Sequence, residues 1–202
     1  MKLSKNKRQA LVESAKEEFF EHGYNNANMK RVCERASTSK RTLYKYFESK
    51  EVLFAETIKS FLYKRSPHVG LKYIPNECME RQLKDYLIAR LDLLYNKIGL
   101  PIISMIIGEF ISSRQLIRNY IALISSVDNE LKVWLDELII DKRLLHFDSS
   151  YAATLIINQF HGLFLWPQVI GRLEKPSTEQ QELFINEIIR IFKCSYFYKA
   201  TS

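Results

Sequence analysis

The sequence predicts an all-α protein, and three observations carry that expectation. Only 6 Gly and 5 Pro occur in 202 residues, too few for the turns of a β-sandwich or barrel. Apolar residues recur at helical spacing through most of the chain, and no segment alternates as a half-buried strand does. Side chains suited to capping helices stand at the starts of the periodic segments. With 47% apolar and 26% charged residues, the composition is that of a globular chain able to bury a core.

Leu11, Ala15 and Phe19, with Val12 and Phe20, mark a first helix from about Lys5 to His22, stopped by Gly23. Asn28 caps a short second helix through Arg35, with Met29, Val32 and Cys33 on its apolar side. After the break at Ser37 and Thr38, Ser39 caps a third helix to about Phe47. Ser49 caps a fourth, to about Arg65, with Glu51 near the positive end of its dipole. The second and third helices, joined by a tight turn, have the helix-turn-helix arrangement. Residues 1–50 are expected to form this domain, with 51–65 connecting it onward.

Residues 66–75 read as a linker, and 66–202 as a second, helical domain. There Asn76 is expected to cap a helix whose first turn holds Glu77 and Glu80, with Met79, Leu83, Leu87 and Leu91 on its apolar side. Pro101 fits the first turn of the next helix, through about Ile111. Ile117 to Leu138 mark a long helix. Asp148 caps another, ending near Trp166 and Pro167. Ser177 with Gln180 makes a capping box for a last helix to about Tyr198.

The charge is segregated. The net charge of +7 resides in residues 1–65, with 15 basic against 8 acidic side chains, while the remainder carries 15 of each. A basic segment joined to a neutral one points to a polyanionic partner for the first part, nucleic acid above an anionic membrane surface. Cys33, Cys78 and Cys194 are too widely spaced for a zinc site or a disulfide framework, and a reducing, cytoplasmic setting is expected. His22, His68 and His146 have no neighbours at metal-ligand spacing. No secretory signal or membrane span is read, since the apolar run from Ile98 to Gly108 is short and holds Pro101. With no Gly-rich phosphate loop, nucleophile elbow or HExxH, neither enzymatic activity nor a cofactor is expected.

On a wheel advancing about 100° per residue, Leu43 and Phe47 share one face of the third helix. Arg41 and Lys45 point away from it, roughly 160–200° around, and Thr42 and Tyr44 lie on the flanks. A helix in the major groove requires this arrangement, with long donors toward base edges and hydroxyls toward phosphates. Lys40 adds a charge at the helix N-terminus.

The segment FFEHGYNNANMKRVCERASTSKRTLYKYFESKEVLF resembles the DNA-binding region of the TetR/AcrR family of transcriptional regulators. The matching residues are Phe19, Gly23-Tyr24, Ala36, Ser39, Thr42-Leu43-Tyr44, Tyr46-Phe47 and Ser49-Lys50-Glu51. The resemblance implies DNA contacts at Ser39, Thr42, Tyr44 and Lys45, and a backbone contact at Lys50. The full candidate set is Asn28, Lys30, Thr38, Ser39, Lys40, Arg41, Thr42, Tyr44, Lys45, Tyr46 and Lys50. Three positions depart from the family pattern: Ser37 and Arg41, where Gly is usual or frequent, and Thr38, usually hydrophobic. Ser37 is strained if its position needs a positive φ.

The second half is similar to the AefR-like C-terminal regions of that family, which implies a ligand-binding bundle and a dimer formed by the last two long helices. Candidate pocket residues are Met105, Glu109, Phe110, Tyr120, Trp134 and Phe160, with core packing as the plainer role for each apolar one. Candidate dimer residues are Leu163, Phe164, Phe184, Ile188 and Ile191, on helices apolar over more than one face. The expected function is that of a sequence-specific DNA-binding regulator. It would be a homodimeric repressor released from a palindromic operator by a small hydrophobic or aromatic effector. The alternative is an architectural DNA-binding dimer without an effector.

Overall fold

A computed structural model describes residues 2–65, 70–112 and 129–196, and no strand occurs among them. The elements are α1 (Lys2–Asn26), α2 (Met29–Arg35), α3 (Lys40–Tyr46), α4 (Lys50–Arg65), α5 (Met79–Asp92), a π-helical segment (Leu93–Ile98) and α6 (Leu100–Ser112). They continue with α7 (residues 129–140), α8 (Ser149–Phe164), α9 (Trp166–Val169) and α10 (Thr178–Tyr196). No single helix among the described residues is long and apolar enough to cross a membrane.

These residues divide into two compact units, one of 2–65 with 101–112 and the other of 70–100 with 129–196. In the first, α1 packs on α2 and α4, and α2 on α3. Leu11, Phe19, Val32, Leu43, Phe47 and Phe54 are fully or almost fully buried. Ile106 of α6 joins this core, with Ile102 and Met105 packed at its edge. The helix-turn-helix is therefore completed by an element from beyond the linker. In the second unit α10 packs on both α5 and α8, with Leu83, Leu87, Phe160, Phe164 and Ile188 buried, and Trp134 lies on Phe192 of α10.

Local chemistry sets most boundaries. Gly23, at φ 73°, interrupts α1 where the sequence places the stop. The side chains of Asn28, Ser39 and Asp148 accept from the N–H groups of Lys30, Thr42 and Tyr151. Ser49 Oγ accepts from Val52 N at 3.3 Å. Ser177 and Gln180 exchange the two bonds of a capping box, at 2.9 and 3.2 Å.

Three expectations need correction. Asn76 does not cap α5. It adopts φ 66° in a turn, a conformation Asn tolerates, and the helical ladder begins at the Cys78 carbonyl, leaving Glu77 outside. The helix also does not continue regularly, but opens into the π-helical segment ended by Gly99 at φ 89°. Finally, α8 stops at Phe164 and the short α9 follows, with Pro167 in its first turn. The expected residues 117–128 of the long helix lie outside the described residues, as does most of the linker's first half.

Candidate nucleic-acid interface

Residues 66–202 balance 15 basic against 15 acidic side chains, and the excess positive charge lies in the segment that holds α2 and α3. Leu43 and Phe47 are 0% and 1% exposed and fix α3 on the core. The opposite face follows from that anchoring. Lys40, Arg41 and Lys45 are exposed, and Tyr44 is 47% exposed. Thr42 is half-buried at the flank, its hydroxyl 3.0 Å from that of Ser39. Tyr46 is half-buried against the core, on the other side from the charges.

The basic side chains of the two helices are used differently. On α2, Arg31 lies on the fully buried Glu18 through Nε at 2.9 Å and Nη2 at 2.5 Å. Arg35 reaches Glu21 at 2.6 Å, and Lys30 is 3.6 Å from Glu34. On α3, among the described residues, Lys40, Arg41 and Lys45 have no carboxylate within ion-pair distance. Three cations are thus held outward without internal neutralisation, which is the electrostatic footprint of a polyanion site.

Glu18 explains the rigidity beneath that surface. Burial raises its carboxyl pKa, but the Arg31 guanidinium and the Asn28 N–H, 2.8 Å away, more than offset this and hold it below 4.5. One carboxylate of α1 thereby fixes the entry and the middle of α2. Sequence reasoning missed it, because the partner of a buried Glu 13 residues away leaves no local signal.

Of the remaining candidates, Asn28 is exposed and caps α2, and the Thr38 N–H closes the turn on Cys33 O at 2.9 Å. Lys50 is placed otherwise. Its ammonium donates to the carbonyls of Asn25 and Ala27 at 3.2 and 2.9 Å and lies 4.8 Å from the Tyr24 ring. Burial lowers its pKa. In this position it clamps the α1–α2 connection to the start of α4.

Ser37 has φ 49°, the strained conformation anticipated for a turn in which glycine is usual. Ser37→Gly is therefore expected to raise stability by about 0.5–1 kcal/mol, the relief of strain exceeding the added unfolded-state entropy. Urea unfolding of the two proteins measures this, and a lowered midpoint for the variant would refute it.

The pocket candidates are divided between the two units, and the dimer candidates differ in exposure. Met105 and Glu109 belong to the first unit, where Met105 packs on the core and Glu109 accepts from Asn25 at 3.4 Å. Trp134 and Phe160 belong to the second and are 0% and 2% exposed, the Trp134 Nε1–H donating to the Gln82 side chain at 3.0 Å. The Phe110 side chain and Tyr120 lie outside the described residues. Of the dimer set, Phe164 and Ile188 are 0% and 1% exposed, inside their own unit's core, so they cannot form an outer face. Leu163 and Phe184 are half-buried, and Ile191 is exposed, as are Leu183 and Trp166 on the same two-helix region.

Residues 11–57 match the family of bacterial regulatory proteins, tetR family, and residues 81–197 match the AefR-like transcriptional repressor, C-terminal domain. No curated protein matches the sequence. Among solved structures, a TetR family transcriptional regulator from Pseudomonas syringae pv. tomato is 26% identical, with a TM-score of 0.72 over 94% of this chain and 96% of that one. A protein assigned to the tetR family from Mesorhizobium loti is 20% identical, with a TM-score of 0.78 over 96% and 98%. The flavonoid-responsive regulator FrrA is 22% identical, with a TM-score of 0.79 over 96% and 98%. The second family match alone spans more than half the chain, and the first covers the helix-turn-helix just described. The chain belongs to the TetR family of DNA-binding transcriptional regulators.

Proposed function

We propose that this chain is a homodimeric repressor that holds a palindromic operator and releases it when a small hydrophobic or aromatic effector binds. The helix-turn-helix within residues 1–50 reads DNA, and 66–202 supplies effector binding and dimerisation, with α6 packed against the reading unit. The observation that carries the DNA reading is the outward face of α3. There Arg41 and Lys45 are free to meet base edges, while Ser39, Lys40, Thr42 and Tyr44 serve the phosphates beside them. The apolar side chains left exposed on α8 to α10, among them Trp166, Leu183 and Ile191, support a partner on that face. A second copy suits them, because paired half-sites multiply a weak single contact. The flavonoid response in the name of one similar structure supports a small-molecule effector here by analogy.

The test is selection of bound duplexes from a random pool by the purified full chain, at about 0.15 M ionic strength, where non-specific contacts weaken. An inverted repeat is expected, its half-sites centred about 10–10.5 base pairs apart or a multiple of that. Enrichment of no sequence would overturn this reading in favour of an architectural DNA binder.

A further inference from the structure

We propose that the seam between α5 and α8 binds a small aromatic carboxylate, with the Arg90 guanidinium as anion anchor and the rings of Tyr86, Phe160 and His161 around it. The proposal rests on the effector-responsive reading above and names the ligand's chemistry.

Arg90 is the charged centre of this seam. It is half-buried on α5 and donates from Nη1 to the Tyr86 hydroxyl at 2.9 Å. Its Cζ lies 5.5 Å from the Tyr86 ring and 5.9 Å from that of Phe160 on α8. Arg8, Arg31, Arg35 and Arg190 each rest on a carboxylate. Arg90, among the described residues, does not. Glu130 feels its charge but stands beyond ion-pair distance. A guanidinium has five donors, and among the described residues only one is engaged here. A ligand carboxylate accepting two parallel N–H bonds would supply the counter-charge that this guanidinium lacks.

His161 complements it. Its ring stands 6.0 Å from that of Phe160 and 6.2 Å from that of Trp166. No hydrogen-bond partner engages its nitrogens among the described residues. Burial, aided by the Arg90 charge, lowers its pKa to about 4, so it is neutral at pH 7. A neutral imidazole offers one N–H and adds no second cation. One guanidinium beside neutral rings suits a singly charged planar acid better than a phosphate.

The backbone supplies an independent sign. One turn beyond Arg90, α5 opens into the π-helix Leu93–Ile98, a feature concentrated at functional sites. Tyr95 within it donates its hydroxyl to the Phe164 carbonyl at the end of α8, at 3.0 Å. The widened turn is thereby fastened to the helix that carries Phe160 and His161.

The experiment uses the full chain with benzoate, cinnamate and indole-3-acetate, each beside its methyl ester. Binding is read by thermal shift and, for benzoate and cinnamate, by quenching of tryptophan fluorescence in a Trp134→Phe background that leaves Trp166 as the sole emitter. The acids are expected to bind at least about tenfold more tightly than their esters. Arg90→Met should abolish that preference, Arg90→Lys should keep part of it, and His161→Phe should weaken the acids with Arg90 in place. Circular dichroism establishes that each variant is folded. Esters binding as tightly as acids, an acid preference surviving in Arg90→Met, or no binding by any probe would each overturn the site. The effector reading fails by a different sign: no compound, acidic or neutral, changes affinity for the selected operator.

Discussion

Replacing Arg41 with alanine is expected to cut the ratio of operator to non-specific affinity by about 2–6 kcal/mol in a dimer, since a bidentate guanine contact discriminates by about 1–3 kcal/mol at each half-site. The loss should appear as relaxed base preference at one position per half-site. Arg41 is exposed, and alanine is the better helix former, so α3 itself should not be weakened. Tyr44→Phe provides the contrast. Its hydroxyl sits at the flank of the helix, so its removal should weaken operator and scrambled duplex alike and leave their ratio unchanged. Titrations of both duplexes at one fixed salt concentration measure the two effects. An unchanged ratio for Arg41→Ala would remove this residue from base reading.

The outward position of Arg41 is legible in the sequence because α3 has a single apolar edge. Leu43 and Phe47 admit only one seating, and that seating fixes where the cations point. Caps were equally legible. Asn28, Ser39, Ser49, Asp148, and Ser177 with Gln180 all act within three residues of themselves. Helices α8 and α10 defeated the same reasoning, because each is apolar over more than one face and periodicity cannot say which faces inward. The expectation of an outer face at Phe164 and Ile188 comes from that ambiguity, and both are buried. The Glu18–Arg31 pair, the Lys50 clamp and the insertion of Ile106 into the first core join residues far apart in the chain, 13 positions at the least. The π-helical turn is tied to the end of α8 through Tyr95, and no local residue pattern announces it.

Phe19→Ala is expected to destabilise the DNA-binding unit by about 3–5 kcal/mol, the usual cost of deleting a buried phenyl ring and leaving a cavity. The ring is 0% exposed, meets Phe54 edge-on at 5.0 Å and lies nearly parallel to Tyr24 at 5.9 Å. Against a total of about 5–15 kcal/mol for an ordinary domain, such a loss is severe. Its consequence reaches the interface through Tyr24. That side chain donates to Glu51 at 2.8 Å and carries the Lys50 ammonium over its ring, so it helps to fix the start of α4 and the α1–α2 corner. With its stacking partner gone, operator affinity should fall even at temperatures where the helices persist. Phe19→Leu keeps most of the volume and should cost about 1.5 kcal/mol or less. Urea unfolding followed by circular dichroism, paired with operator titration of both variants, measures stability and recognition side by side. An unshifted unfolding midpoint in Phe19→Ala would show that this ring does not hold the core. A large shift with operator affinity intact below the transition would instead confine its role to stability and detach Tyr24 from recognition.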